Sequence, residues 1–130
     1  MVNGIIKKNI EILYPELSYK LNGIFFRIHK KLGRHCREKQ YADELERELI
    51  GGKVKYLREH RIIKEEGFTG NVTDFTIDNQ IIVDLKAKKY ITKEDFYQMQ
   101  RYLKSTNKRL GFIVNFRDDF IKTKRVLSNN

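Results

Sequence analysis

The chain has 130 residues, with 27 Lys+Arg against 17 Asp+Glu for a formal charge of +10, and 40% of its residues are hydrophobic. That length supports one core rather than two, and both charge signs interspersed with 12% aromatics exclude a wholly disordered chain. A lone cysteine, Cys36, excludes an intramolecular disulfide framework and a multi-cysteine zinc cluster, and apolar runs of three or four residues exclude a membrane span of about 18.

Lys7, Lys8 and Glu11 interrupt the first residues before any apolar stretch of signal-peptide length develops, so a cytoplasmic protein in a reducing compartment is expected. Residues 1–13 read as a flexible lead-in to a core over about 14–127, within one domain spanning 1–130. Leu17, Leu21, Ile24, Phe25, Ile28 and Leu32 recur at helical spacing, with Pro15 suited to the first turn and Gly33 to the stop. Tyr41, Ala42, Leu45 and Leu49 predict a second helix ending at Gly51-Gly52.

Strand-like stretches follow at 54–59, with a further piece at 62–65, then at 72–77 and 81–85. Gly67, Gly70 and Asp78-Asn79-Gln80 separate them. Thr92 with Asp95 three residues on resembles a capping box, and Phe96, Met99 and Leu103 supply the stripe of a third helix ending near Thr106-Asn107. Residues 110–116 form a near-continuous apolar run suited to a strand buried on both faces, and 121–127 suit a basic edge strand. The order α-α-β-β-β-α-β-β, with a strand-helix-strand crossover between 81 and 116, predicts an α/β fold in which helices flank a mixed central sheet.

Parity makes the 72–86 hairpin informative. A three-residue loop at 78–80 pairs Ile77 with Ile81 and sets Asp74 opposite Asp84. Phe75, Ile77, Ile81, Val83 and Leu85 then line one apolar face, while Asp74, Asp84 and Lys86 share the other. Facing carboxylates repel, and two counter-ions are open: a hard divalent cation such as Mg²⁺ or Mn²⁺, or Lys86 bridging both acids on a solvated face.

Glu38 precedes Tyr41, Ala42 and Leu45 by three, four and seven residues, which places a carboxylate on the second helix's apolar stripe; complementing the helix dipole from the first turn is its bland role. Gln98 and Tyr102 are an i,i+4 pair at the margin of the third helix's stripe, where a helix-surface hydrogen bond between them is the simple expectation. His35-Cys36 lacks a second cysteine or a suitably spaced histidine and reads as a helix boundary; His29 and His60 stand in no motif.

The charge is uneven: residues 86–130 carry 12 Lys+Arg and 4 Asp+Glu, against 15 and 13 in residues 1–85. A polyanion is therefore the first partner to expect. Lys88, Lys89, Arg101, Lys104, Lys108 and Arg109, interleaved with Tyr90, Phe96, Tyr97 and Tyr102, form the candidate phosphate-tracking surface.

At these residues the sequence resembles the PD-(D/E)XK nuclease superfamily and, more closely, its small family of GxxExxY proteins. The resemblance runs from about Tyr14 to Leu127. In order, it is carried by Lys31-Leu32-Gly33, Glu38-Lys39-Gln40-Tyr41, Thr73-Asp74-Phe75, Asp84-Leu85-Lys86, the 98–104 segment QMQRYLK, the 110–116 strand and the terminal Ile121-Lys122-Thr123-Lys124-Arg125. His35 stands where the eponymous glycine is expected, Asp84 where Glu is more usual, and Thr73 in place of a proline.

The resemblance implies a restriction-endonuclease-like core in which Asp74 and Asp84 bind Mg²⁺ or Mn²⁺, Lys86 assists the nucleophilic water and Glu38 completes the acidic cluster. Gln98 and Tyr102 are similar to a QxxxY pair of the superfamily's exonuclease-like branch. The activity implied is phosphodiester hydrolysis in nucleic acid, DNA before RNA, and assembly into a homodimer or larger complex is open. A catalytically inactive nucleic-acid-binding or scaffold module of the same fold is the alternative.

Overall fold

A computed structural model describes residues 13–65 and 68–129, residues 63, 65 and 68–71 by backbone alone. The expected flexible lead-in at 1–13 lies outside the described residues except for Leu13, which is half-buried against the core. Eight elements follow in the expected order. Helices α1 (Pro15–Leu32) and α2 (Glu38–Gly51) precede strands β1 (Tyr56–Glu65), β2 (Phe68–Ile77) and β3 (Ile81–Lys86), and then come α3 (Lys93–Thr106), β4 (Leu110–Asn115) and β5 (Lys122–Leu127).

The five strands form a mixed sheet in the order β1-β2-β3-β4-β5, antiparallel throughout except for the parallel β3/β4 pair that the α3 crossover joins. Strand parity divides the core. Phe75, Ile77, Ile81, Val83, Leu85, Leu110, Phe112, Val114 and Phe116 pack beneath α1 and α2, while Ile82, Ile113 and Val126 meet Met99 and Leu103 of α3 on the opposite face. Because β3 and β4 are covered on both faces, all six residues of each are buried, which is why β4 reads as a near-continuous apolar run. Burial of each such Leu, Ile or Phe contributes about 1.5–3 kcal/mol.

Local chemistry sets the boundaries. Pro15 opens α1, and Gly33 closes it at φ 78°, a left-handed conformation that suits glycine. His35 takes no positive φ, so the position two residues on makes no demand for glycine. Asp78 and Asn79, both at positive φ, turn the β2/β3 hairpin with Ile77 paired to Ile81. The Thr92/Asp95 capping box starts α3: the Asp95 amide donates to Thr92 Oγ1, and the Thr92 amide donates to Asp95 Oδ2 at 2.7 Å.

Two expectations need correction. The stretches 54–59 and 62–65 are one ten-residue strand, β1, because Arg58, Glu59, His60 and Arg61 continue the ladder through their backbone even though they break the apolar alternation. Strand β2 likewise begins at Phe68 rather than 72, four residues earlier, to keep pace with that long partner. Among the described residues no helix is long and apolar enough to cross a membrane.

At Gly111 the Met99 side chain of α3 packs directly on the sheet backbone. A Cβ placed there would lie 2.5 Å from Met99 Sδ, with two further Met99 carbons within 3.1 Å. Gly111→Val is therefore expected to cost about 1–3 kcal/mol as Met99 and α3 are pushed outward. Urea unfolding measures it, and an unchanged midpoint would mean that α3 does not pack this tightly.

Candidate functional site

The register places the chemistry in rows that run across the sheet. Glu59 pairs with Asp74, Asp74 with Asp84, Asp84 with Ile113 and Ile113 with Lys124, so three acids from β1, β2 and β3 stand side by side on the α3 face. In the next row Arg61 pairs with Val72, and Lys86 with Asn115. The expected Asp74/Asp84 pairing is thus present, with Lys86 two residues beyond Asp84 on the same face.

Both aspartates are buried, Asp74 at 2% exposure and Asp84 at 7%, and each has its own cation. Lys86 Nζ lies 3.2 Å from Asp84 Oδ2 and 3.9 Å from Asp95 Oδ1, whereas the Arg61 Nε donates to Asp74 Oδ2. A lysine bridging Asp74 and Asp84 is therefore not what the site contains: Lys86 joins Asp84 to α3, and Arg61 reaches Asp74 from the neighbouring strand.

Burial, reinforced by the Asp74 charge and opposed by Lys86, pushes the Asp84 carboxyl up to about 7. Asp74 is raised by burial despite Arg61. Burial works against the Lys86 ammonium, yet Asp84, Asp95 and Glu38 outweigh it and hold this lysine above its ordinary value. Burial is the main cause in both aspartates, and the Asp74 charge adds to it at Asp84.

Supporting groups fix the cations in place. Asp95, which caps α3, also accepts from Lys88 Nζ at 2.5 Å, and its carboxyl falls below the usual range because Lys88, the Thr92 amide and Lys86 outweigh the effect of its burial. Asn115, 2% exposed at the end of β4, donates to the Lys88 carbonyl at 2.7 Å and accepts from the Lys88 amide at 3.1 Å, clamping the backbone just past Lys86.

Glu38 does not join this group directly. It is the exposed first residue of α2 and lines a cavity of about 400 Å³ with Ala42, Arg58, His60, Thr73 and Leu85. The apolar-stripe reading is corrected: the spacing is right, and Tyr41 and Ala42 on that stripe are buried, but Glu38 at the first position of the helix is exposed. Its charge still acts on Asp84 and Lys86. Among the described residues no three His, Cys, Asp or Glu side chains converge into a metal-holding group. Gln98 is buried and Tyr102 half-buried, and the Tyr102 hydroxyl donates across to Glu59 at 3.4 Å.

The basic residues beyond the site are unequal. Lys104 and Arg109 are exposed, Lys89 is exposed beside the Tyr90 ring, Lys108 donates to Asn79 and Arg101 pairs with Glu94 at 3.6 Å. Lys88 is engaged by Asp95. Ile91, Phe96 and Tyr97 line a second cavity of about 370 Å³ rimmed by Lys93 and Lys124, and Lys124 belongs to the row that contains Asp84.

Sequence reasoning missed Glu59, Arg61 and Asn115, and saw in Asp95 only a cap. The β1 register would have exposed the first two, since Glu59 falls directly opposite Asp74 once β1 is one strand.

A family model described as the PD-(D/E)XK nuclease superfamily matches residues 15–126, a span containing every residue of the two rows. No curated protein and no solved structure matches the chain.

Proposed function

Because the chain belongs to the PD-(D/E)XK nuclease superfamily, we propose that it is a metal-dependent nuclease of the GxxExxY kind that hydrolyses phosphodiester bonds in DNA. The observation that carries this reading is the pairing of two buried carboxylates, Asp74 and Asp84, on adjacent strands with Lys86 on the same face. Enzymes of this superfamily generally use divalent metals, and the donor set fits one: each aspartate spends Oδ2 on a side-chain cation, leaving Oδ1 as a hard oxygen ligand. Mg²⁺ or Mn²⁺ held by Asp74 and Asp84 would lower the pKa of a water and neutralise charge developing on the phosphate.

The chain's own residues do the rest. Lys86, anchored between Asp84 and Asp95, donates to the attacking water and steadies the phosphate oxygens. The water oxygen bonds to phosphorus, the bond from phosphorus to the leaving sugar oxygen breaks, and one water proton ends on that oxygen. Glu38 acts at longer range, on water beyond the direct ligands, and Gln98 and Tyr102 close the α3 side. Lys88, Lys89, Arg101, Lys104, Lys108 and Arg109 follow the backbone on either side of the cut. Tyr90 and Tyr97, 70% and 50% exposed, offer rings for unpaired bases.

A panel of linear, nicked and single-stranded DNA and of RNA, with Mg²⁺, Mn²⁺ or EDTA, tests the proposal. Cleavage is expected on DNA, only with metal, and not by Lys86→Ala. Binding without cleavage on any substrate would instead support the inactive scaffold. Binding itself is expected to weaken steeply with salt, as counterion release from several phosphates requires. The double variant Lys108→Glu/Arg109→Glu should weaken it without unfolding the domain, and salt-insensitive binding would contradict the polyanion surface.

A further inference from the structure

Lys86 has a place in the catalytic step; Arg61 has none, although it sits among the same carboxylates. Its Nε donates to Asp74 Oδ2, and its guanidinium carbon lies 3.5 Å from the centroid of the Tyr102 ring. Tyr102 in turn donates to Glu59, the acid directly opposite Asp74 on the same edge strand as Arg61. The guanidinium is thus held by one buried carboxylate and one ring, and it lies against the same acid that the proposed metal would share.

The two cations of the site differ in how firmly they are held. Lys86 is 11% exposed in its side chain and has two acids, one on the sheet and one on α3. Arg61 is 27% exposed in its side chain, has among the described residues a single salt-bridge partner, Asp74, and springs from edge strand β1. Arg61 is therefore the one that can leave, and its planar fork matches a phosphate diester as well as it matches a carboxylate.

We propose that Arg61 is a resident counter-ion that gates the metal site: with no nucleic acid bound it holds Asp74 and opposes divalent-ion binding, and it moves from Asp74 to a substrate phosphate so that metal and nucleic acid load together. This inference rests on the reading of Asp74 and Asp84 as metal ligands. Two cations on one carboxylate repel each other, so whatever draws the guanidinium away strengthens the metal's hold. By linkage, nucleic acid and metal then favour each other's binding to the same degree.

The experiment is Mn²⁺ titration calorimetry on the full chain, as wild type, Arg61→Met and Tyr102→Leu. Each is measured with and without a phosphorothioate oligonucleotide that resists cleavage, and melting curves in EDTA confirm that each variant is folded. Without oligonucleotide, Arg61→Met is expected to bind Mn²⁺ about tenfold more tightly than wild type. The oligonucleotide should tighten Mn²⁺ binding markedly more in the wild type than in Arg61→Met, in which only the direct attraction between metal and phosphate remains. Tyr102→Leu, which keeps the guanidinium but removes its ring support, should fall between the two and decides the matter if Arg61→Met fails to fold.

Wild-type Mn²⁺ binding that Arg61→Met does not improve would overturn the gate while leaving the metal site intact. Absence of Mn²⁺ binding in all three proteins, with and without oligonucleotide, would overturn the metal reading and the gate with it.

Discussion

Asp84→Asn is expected to raise the melting temperature of the metal-free protein at neutral to alkaline pH and to erase the stabilisation that Mn²⁺ gives the wild type. Asp84 ionises at about 7 in the folded chain against an ordinary 3.8, so the folded state holds a proton that the unfolded state releases. Stability from this group is fully present below about pH 4, declines as the pH rises, and is gone above about pH 7, with a slope of at most about 1.4 kcal/mol per pH unit. Asp43, Glu44 and Glu46, held low by Lys39, Tyr56 and Arg or Lys partners, act in the opposite sense and lose their contribution only on the acid side of the carboxylate range.

In EDTA the wild type should therefore lose stability between about pH 4 and pH 7, a limb that the Asp84→Asn substitution flattens. Mn²⁺ at a hundred times its dissociation constant adds about 2.7 kcal/mol to a native state that binds it, which is roughly 10 °C for a chain of this size. The variant loses a ligand and should show no such shift. If Asp84→Asn instead destabilises the metal-free protein across this whole range, the Asp84/Lys86 contact is a structural ion pair.

Lys86→Ala should abolish measurable turnover, slowing single-turnover cleavage by about 10³-fold, the range expected when a buried donor that stabilises developing charge is removed. The same change leaves Asp84 and Asp95 without their shared ammonium, so Mn²⁺ binding should persist and strengthen even as the rate falls. That opposition separates a group acting on water and phosphate from a group that merely shapes the site, since loss of shape would weaken metal binding and rate together. Lys86→Met, which restores the length of the side chain without its charge, should be equally inactive.

The parts of this site that lie within one hairpin were legible in the sequence. Parity alone puts Asp74, Asp84 and Lys86 on one face, because a slip of one residue would expose Phe75, Val83 and Leu85 together. The Thr92/Asp95 box was equally readable, since both partners lie within a single helical turn. Groups brought in from other elements were not readable. Four consecutive polar residues, 58–61, hid the middle of β1, and with it Glu59 and Arg61, although backbone pairing across ten residues holds them in the sheet. Asp95 reaches Lys86 and Lys88 only because the crossover returns α3 over the end of β3, and Asn115 clamps Lys88 only because β4 runs parallel to β3. Glu38 carried the spacing of an apolar stripe, but as the first residue of α2 it stays exposed while Tyr41 and Ala42 beyond it are buried.

The facing of Asp74 and Asp84 is the centre of the proposed chemistry, and anomalous diffraction from crystals of the full chain grown with Mn²⁺ and a phosphorothioate oligonucleotide tests it most directly. A manganese peak is expected between Asp74 and Asp84, with a backbone phosphate beside it and Lys86 within hydrogen-bonding reach of that phosphate. A peak elsewhere on the protein, or nucleic acid bound with both aspartates still paired only to Arg61 and Lys86, would contradict it.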